Sequence, residues 1–288
     1  MNKDISKMDN KKILILVKTY TNLSKKYGEL VCTAGIDENG KWIRLHPIPF
    51  RKLNDYGKYH KYEYVQVKIT KNNSDPRPES YRILNNDINN IKIIENSFIN
   101  SDKKWETRKN IIFNQTKIKV YNNLKEIITL SHNNKISLVM FKPTKLLDVI
   151  AELNNDTEKY GAKINEFEKQ KLQLDLFTNE EENLFKPMPF IDYKFSYKFN
   201  DINGKESTLQ IIDWEIGQLY LNLLKKYKNK QEAKNGVIKK YKDEFFKKDI
   251  YLFLGTIYKQ HIRKSKNPFL IIGVFYPPLM EETRDFFN

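Results

Sequence analysis

The sequence predicts an α+β protein, with a curved β-sheet or small barrel, then a helical connector, then a second α+β part. Two observations favour this class. Short runs of alternating apolar residues, separated by turn signals, fill the chain up to about residue 145. Apolar residues then recur at helical spacing, and strands and helices mix toward the C-terminus. We therefore predict a basic β-rich domain over residues 1–145, a charged helical connector over 146–183 and an α+β domain over 184–288.

The strands of the first domain are predicted from apolar alternation and from the turns between them. The clearest feature is a hairpin over 28–50, because its turn, DENG at 37–40, has the Asn-Gly chemistry that positive φ favours. A short helix is predicted over 102–112. The other predicted strands are 11–20, 62–70 and 135–141.

Helical and strand patterns alternate in the rest of the chain. "KLLDVIAEL" (145–153) begins a stretch that we expect to be helical as far as residue 178. A hairpin turning at Asn203 and Gly204 then leads into an amphipathic helix that starts near Ile216. The remaining predicted elements are a helix over 231–248 and two neighbouring strands over 250–256 and 269–276. No internal repeat is apparent.

Composition excludes several classes of protein. Hydrophobic residues make up 40% of the chain, which is enough for a folded core. No apolar run approaches the roughly 20 residues of a membrane span, and the N-terminus lacks the apolar core of a secretory signal, so we expect a cytoplasmic protein without membrane contact. The single cysteine, Cys32, excludes internal disulfides and multi-thiolate zinc sites. The glycines are too scattered for a phosphate-binding loop, which argues against ATP or dinucleotide dependence.

The charge of the chain is unevenly distributed. Of a formal net charge of +15, residues 1–150 contribute 28 Lys and Arg against 15 Asp and Glu, whereas residues 151–288 contribute 23 against 21. A lysine-rich composition of genomic origin would affect both halves alike, so the asymmetry favours a basic surface on the first part. Basic surfaces bind nucleic acids because lysine and arginine release the counterions condensed on phosphates. We predict DNA or RNA as the partner.

Two acidic residues flank Trp214 where a predicted strand gives way to a helix. Asp213 stands at the N-cap position, where its carboxylate would accept from free backbone N–H groups, and Glu215 suits the positive end of the helix dipole. The same pair has a catalytic alternative. Asp213 could be a general base that activates water against a base–sugar bond, or both carboxylates could hold Mg²⁺ in a nuclease. Apart from that Mg²⁺, no cofactor is predicted.

A loop with proline on both sides of Arg77 (73–80, NSDPRPES) is the second candidate site. The prolines fix φ and disfavour helix, so the loop would hold Arg77 at low entropic cost for a bidentate grip on a phosphate or a base edge. The alternative is a rigid turn, capped by Asp75 or Ser74, in which Arg77 pairs with Glu79.

The third candidate is a face of aromatic and cationic side chains. Alternation puts three residues of the hairpin's second strand on one face, and the next strand adds a tyrosine and a lysine. Such a mixture can stack on a single strand or on a base flipped out of a duplex. Packing of Trp42 beneath the second part is the alternative. The residues of this face are Trp42, Arg44, His46, Tyr64 and Lys68. Only His46 among the four histidines is expected at a site, and the others are expected to be solvated.

Four segments resemble a family of poorly characterised bacterial and phage-associated proteins. They are "VCTAGIDENGKWIRLHPIPFR", which ends at Arg51, then "SDPRPESYR", "IIDWEIGQLY" and the closing "FLGT…FLIIGVFYPP". The first part is also similar to a PUA-like or ASCH-type barrel, on its strand order and its "GKWIRLHP" hairpin. Such barrels bind RNA or modified bases. The resemblance therefore implies nucleic-acid binding in a bacterial or phage-defence context, with Arg51 among the binding residues.

The leading hypothesis is a nucleic-acid-binding protein that acts on an extruded or modified base, as a glycosylase does, with Asp213 and Glu215 as catalytic candidates. One alternative is a metal-dependent nuclease that uses the same two residues. The other is a binding module without catalysis. Whether a partner protein is also needed stays open.

Overall fold

The computed structural model describes residues 9–20, 22–24, 28–48, 58–102, 105–116, 118–175 and 188–279. Within these ranges the chain forms two sheets of seven strands each and six α-helices. The predicted α+β class is confirmed. No helix in the described ranges is long and apolar enough to cross a bilayer.

The first sheet closes into a five-stranded barrel. Its strands are β1 (Asp9–Lys18), β2 (Asn22–Ser24), β3 (Gly28–Asp37), β4 (Trp42–Ile48), β5 (Tyr64–Lys71), β6 (Ser80–Ile83) and β7 (Ile91–Ile93). They run in the order β1-β3-β4-β6-β5, and β5 pairs back onto β1. β4 and β6 are parallel, whereas the other neighbours in this ring are antiparallel. The short strands β2 and β7 extend the sheet beside β3 and β5.

The core of this first barrel follows the predicted alternation. Val65, Val67 and Ile69 of β5 are fully buried, together with Ile43 and Leu45 of β4. β1 serves two neighbours, since its first half pairs with β5 and its second half with β3. The predicted hairpin is confirmed as β3 and β4.

A helical segment links the two sheets. α1 (Glu106–Lys109) continues into a π-helical turn, Asn110–Gln115, which confirms the helix predicted around 102–112. The second helix, α2 (Leu124–His132), begins at the cap residue Asn123, whose side chain accepts from the backbone N–H of Glu126.

The second sheet also forms a ring. Its strands are β8 (Val120–Tyr121), β9 (Leu138–Phe141), β10 (Lys145–Leu153), β11 (Tyr193–Asn200), β12 (Glu206–Ile211), β13 (Tyr251–Thr256) and β14 (Phe269–Phe275). They run in the order β10-β11-β12-β14-β13-β9, with β8 outside β9. Only residues 142–144 separate β9 from β10, so the chain itself joins the two ends of this order. We call this ring the second barrel.

The two barrels repeat one topology. If β9 and β10 count as one bent first strand, both rings have the order 1-2-3-5-4-1, with strands three and five parallel. The second and third strands are joined in both by the turn D-x-N-G-K, at 37–41 and at 201–205. The side chain of Asp37, like that of Asp201, accepts from the backbone N–H groups two and four residues later. The expectation of no internal repeat was therefore wrong, because the likeness lies in strand order and one short turn, not in strand sequence.

The helices of the second barrel occupy its connections. α3 (Thr157–Asp175) lies between its first and second strands, and α6 (Tyr258–Ile262) between its fourth and fifth. α4 (Trp214–Tyr227) and α5 (Lys230–Lys239) join the third strand to the fourth, with α5 continuing through π and 3₁₀ turns to Lys247. The predicted amphipathic helix is confirmed, since Ile216 and Tyr220 are buried against the strands.

The helix predicted over 145–153 was wrong, because this segment is the strand β10. A β-bulge between Leu146 and Asp148 shifts the alternation, so that Leu146 and Val149 both pack on the core of the second barrel. Two inward residues three apart imitate helical spacing. Helix begins only at Thr157.

The strand predicted within 135–141 is present as β9, but it belongs to the second sheet. Its antiparallel partner is β13, which follows more than a hundred residues later. The change of sheet thus falls between β7 and β8, before residue 145. The predicted neighbours β13 and β14 are confirmed as an antiparallel pair.

The two D-x-N-G-K turns provide a matched stability test. Gly40 and Gly204 have φ of 71° and 72°, so alanine at either position should cost about 1–2 kcal/mol of left-handed strain. A Cβ on Gly40 would also lie 1.7 Å from the carbonyl oxygen of Thr116, whereas one on Gly204 meets nothing within 4 Å. We expect Gly40→Ala to lower the free energy of unfolding in urea clearly more than Gly204→Ala. Equal losses would contradict the close approach of the linking segment to the first turn.

Candidate functional site

The second barrel covers one outward face of the first. Trp42, Ile36, Leu14 and Tyr64 lie opposite one another on four neighbouring strands, and they pack with apolar side chains of the second barrel. The Trp42 ring contacts Phe253 edge-on, with ring centroids 5.7 Å apart. The prediction of an open stacking face was therefore wrong for Trp42, and the alternative, packing beneath the second part, is confirmed.

Asp213 caps α4 as predicted. Its Oδ1 accepts from the backbone N–H of Glu215 at 3.3 Å, and its side chain is fully buried. The end of β1 holds this junction from the other barrel, since Thr19 forms a β-bridge with Asp213 and the Tyr20 N–H donates to the carbonyl of Ile212 at 2.8 Å. The cap is thus part of the contact between the barrels.

Lys61 of the first barrel joins both acidic residues. Its Nζ lies 3.1 Å from Asp213 Oδ2 and 2.8 Å from Glu215 Oε2, and its side chain is almost completely buried. Lys18, at the end of β1, places its ammonium 4.9 Å from the centre of the Trp214 ring. We call Lys18, Lys61, Asp213 and Glu215 the junction cluster. No sequence signal distinguished these two lysines from the many others in the chain.

Three groups of the junction cluster have pKa values that differ from those of the free side chains. Burial raises the pKa of Asp213 to about 6, and the opposing charge of Lys61 only partly offsets this. Burial alone would lower the pKa of Lys61, but the charges of Asp213 and Glu215 outweigh it and hold that pKa well above 10.5. Burial and the charge of Lys61 lower the pKa of Lys18 to about 8. Asp213 is therefore the group in the cluster that takes up a proton in mildly acidic solution.

Arg77 joins the barrels instead of projecting into solvent. Its guanidinium pairs with Asp75, with Nη2 2.6 Å from Oδ2, and its Nη1 donates to the backbone carbonyl of Thr256 in the second barrel at 2.9 Å. The rigid-turn alternative holds, although the partner is Asp75 and not Glu79. Both ends of the guanidinium fork are engaged by the protein.

Arg44 is buried between the barrels as well. Only 2% of it is exposed, and its Nη1 and Nη2 donate to the hydroxyl and carbonyl oxygens of Ser137 at 2.6 and 3.0 Å. Ser137 in turn donates from its backbone N–H and its hydroxyl to the carboxylate of Glu79. The predicted facing of Arg44 is confirmed, since Ile43 and Leu45 lie in the core of the first barrel and Arg44 leaves it on the other side, but the second barrel covers that side of β4.

A cavity of about 290 Å³, the interbarrel pocket, opens beside these arginines. From the first barrel it is lined by Tyr20, Cys32, Arg44, His46 and Arg77, and from the second by residues around Thr256 and Tyr258. His46 lines this concavity and is exposed to solvent. The desolvation there, with the charges of Arg77 and Arg44, lowers the pKa of His46 to about 4, so its imidazole is neutral at pH 7.

Not all histidines away from the pocket are solvated. His261 is 2% exposed and bonds through its two ring nitrogens to Ser131 and Asn134, which corrects the expectation for it.

The remaining predicted binding residues lie apart from the pocket. Lys68 is exposed on β5, and Tyr64 of the same strand is half-buried with the Lys12 ammonium 4.8 Å from its ring centre. Strand register places Lys12 and Lys92 opposite Gln66, on the two strands that flank β5. Lys68 lies two residues after Gln66, on the same face of β5. We call Lys12, Lys68 and Lys92 the basic strip. Arg51 falls outside the described residues.

The acidic pair fits an ammonium group better than a metal ion. The Lys61 ammonium already bridges the two carboxylates. Among the residues that the structure describes, no group of three or more His, Cys, Asp or Glu side chains could hold a metal ion.

The raised pKa of Asp213 makes stability depend on pH. The folded state binds this proton more tightly than the unfolded chain, whose ordinary pKa is 3.8, so the stabilisation is complete at low pH and is lost as the pH rises through about 6. We expect the unfolding free energy of the wild type, relative to Asp213→Asn, to fall by about 1 kcal/mol per pH unit between about pH 4 and pH 6. Urea unfolding at several pH values measures this difference.

Asp156→Asn is the control for that experiment. The hydrogen bonds and charges of Lys194 and Lys159 lower the pKa of Asp156 to about 2, so its contribution stays constant over the same pH range. A pH-independent difference between the wild type and Asp213→Asn would show that Asp213 remains ionised throughout.

Comparison with protein families divides the chain where the sheets change. Residues 9–114 match the family described as Domain of unknown function (DUF8758), and residues 119–288 match Domain of unknown function (DUF8757). No curated protein matches the chain. The resemblance to a poorly characterised family is thus confirmed, and the closed first barrel is compatible with a PUA-like fold. Because the second match spans more than half of the sequence, the chain belongs to the DUF8757 family.

Proposed function

We propose that this protein binds nucleic acid, DNA or RNA, through its first barrel, with the basic strip contacting phosphates. The observation that carries the proposal is the position of the strip. Lys12, Lys68 and Lys92 come from three neighbouring strands and lie on one face, in the part of the chain before residue 119, where 23 Lys and Arg stand against 13 Asp and Glu. A row of ammonium groups on a sheet follows a phosphate backbone without regard to sequence.

The topology supports the same class of ligand. A closed five-stranded barrel of order 1-2-3-5-4-1, with strands three and five parallel, is typical of OB folds, which bind oligonucleotides and oligosaccharides. Fold alone does not assign a function, so the charge decides between these ligands. A bacterial or phage-defence setting, which the sequence resemblance implies, and the expected cytoplasmic location accord with such binding.

Removal of a bound base is a second candidate, favoured by the titration of the junction cluster. Asp213 with a pKa of about 6 and Lys18 with a pKa of about 8 are a proton acceptor and a proton donor that operate near neutrality, as base removal by water requires. Asp213 is fully buried, so this chemistry requires the junction to open or Glu215, whose side chain is 43% exposed, to act in its place.

Charge removal on the basic strip tests the binding proposal. We expect Lys12→Gln, Lys68→Gln and Lys92→Gln each to weaken binding of a labelled single strand, and to reduce the slope of log affinity against log salt by about 0.7. Lys225→Gln, on the exposed surface of α4, is the matched control and should leave both quantities unchanged. If the slope of log affinity against log salt were unchanged in all three variants, the basic strip would not be the phosphate-binding surface.

The second candidate predicts sites of base loss. After incubation of labelled DNA and RNA with the protein, we expect breaks only in samples treated with hot alkali, with EDTA present or absent, and none with Asp213→Asn if the junction opens, or with Glu215→Gln if Glu215 acts in its place. Direct breaks that require Mg²⁺ would instead mean a nuclease. Intact strands that shift on a native gel would leave binding without catalysis.

A further inference from the structure

The interbarrel pocket lies on the face that OB-type barrels use for ligands. That face consists of the second and third strands and the loops that follow strands one and four. In the first barrel these elements are β3, β4, the residues after β1 and the loop between β5 and β6. Each element contributes one lining residue to the pocket. Cys32 lies on β3, His46 on β4, Tyr20 after β1, and Arg77 in the loop between β5 and β6.

The second barrel closes this face to an extended strand. Hydrogen bonds from three residues cross it, from Arg77 to the Thr256 carbonyl, from Arg44 to the hydroxyl and carbonyl of Ser137, and from the Tyr20 N–H to the Ile212 carbonyl. The remaining space is about 290 Å³. A cavity of about 150 Å³ binds benzene, so this volume suits one heteroaromatic base and not a run of nucleotides.

The walls combine apolar surface with a few unsatisfied polar groups. Leu30, Ile257 and Leu270 supply apolar surface, as in most small-molecule pockets. Arg44 Nε and Thr256 Oγ1 are buried and have no hydrogen-bond partner among the described residues. An unmet buried donor costs on the order of 1–3 kcal/mol, so a ligand gains that free energy if a small rotation of these side chains brings the atoms into the pocket wall, because solvent does not reach either atom in the structure.

His46 adds a group that can donate and accept at once. Its neutral imidazole carries one N–H and one unprotonated nitrogen, and it makes no hydrogen bond within the described part of the chain. The guanidinium groups of Arg44 and Arg77 are hydrogen-bonded within the protein, but their positive charge favours ligand edges with carbonyl oxygens or ring nitrogens. These are the groups on the edges of nucleobases.

We propose that the interbarrel pocket binds a single nucleobase, with one polar edge toward Arg44 and Thr256 and a second edge toward His46. The inference rests on the proposed nucleic-acid binding and adds that the unit recognised is one base. A free mononucleotide and a base extruded from a strand present the same chemistry, and the experiment separates them.

Cys32 reports directly on occupancy of the pocket. It is the chain's only cysteine, it is partly exposed, and it lines the cavity. We would measure its alkylation rate by a maleimide without ligand, with nucleoside 5′-monophosphates, and with unmodified single-stranded DNA or RNA. Thr256→Val and His46→Leu remove polar atoms of the pocket while nearly preserving side-chain volume. Thr208→Val, exposed on β12, is the matched control.

We expect a saturating probe to slow alkylation at least tenfold, and each pocket variant to raise the half-protecting concentration by about tenfold, the loss of roughly one hydrogen bond. Thr208→Val should behave as the wild type.

Protection by mononucleotides supports a free nucleotide as ligand, whereas protection by strands alone supports an extruded base. Strand binding that leaves Cys32 equally reactive overturns the pocket but not the basic strip. Protection by mononucleotides without any strand binding overturns the proposed function instead. Neither protection nor binding overturns both.

Discussion

The contact between Lys61 and the acidic pair at the start of α4 is the interaction on which the arrangement of the two barrels depends. A buried ammonium group without partners is very costly, so Lys61 is tolerated only where Asp213 and Glu215 surround it. One oxygen of Asp213 accepts from the helix and the other from Lys61. The start of α4 and the docking of the first barrel are therefore coupled through one carboxylate.

Two arginines extend the same principle across the interface. Arg44 and Arg77 come from the first barrel, and both give guanidinium hydrogen bonds to backbone carbonyls of the second. Buried ion pairs contribute little net stability compared with apolar packing, but they penalise any orientation that leaves a charge unpaired. Apolar contacts such as Trp42 on Phe253 supply the attraction, and the three buried cations specify one geometry.

Repetition of one barrel topology explains why a pocket forms between the copies. OB-type barrels bind a nucleic-acid strand on the face formed by their second and third strands. In the first barrel this face is covered by β13 of the second barrel and the residues after it, and a small cavity with polar groups in its walls remains. The exposed positive charge lies elsewhere, on the strip formed by β1, β5 and β7. Phosphate binding and base recognition would then occur on separate surfaces of one protein, with the nucleic-acid backbone bound by the lysines of the basic strip and a single base by the groups that line the interbarrel pocket.

Much of the fold was predictable because it depends on neighbours along the chain. Alternation determined the strands of the first barrel, Asn-Gly determined both hairpin turns, and the position of Asp213 before an amphipathic run determined its role as a cap. The β-bulge in β10 led to the wrong prediction of a helix over 145–153, because it places two inward-facing residues three positions apart. The repeated barrel was not predictable from the sequence, because the two copies share their strand order and one short turn but not the sequences of their strands.

The candidate site was predictable only in its acidic half. Asp213 and Glu215 were identified from the strand-to-helix junction, but Lys61, 152 residues from Asp213, carries no local mark of its partnership. The covered faces of Trp42 and Arg44 were likewise beyond sequence reasoning, since alternation shows which side of a strand leaves its own barrel and not what packs there. The sequence by itself determined the local elements, the turns and the distribution of charge. Only the tertiary structure decided which charges are buried and which remain exposed, because desolvation depends on contacts between residues far apart in the chain.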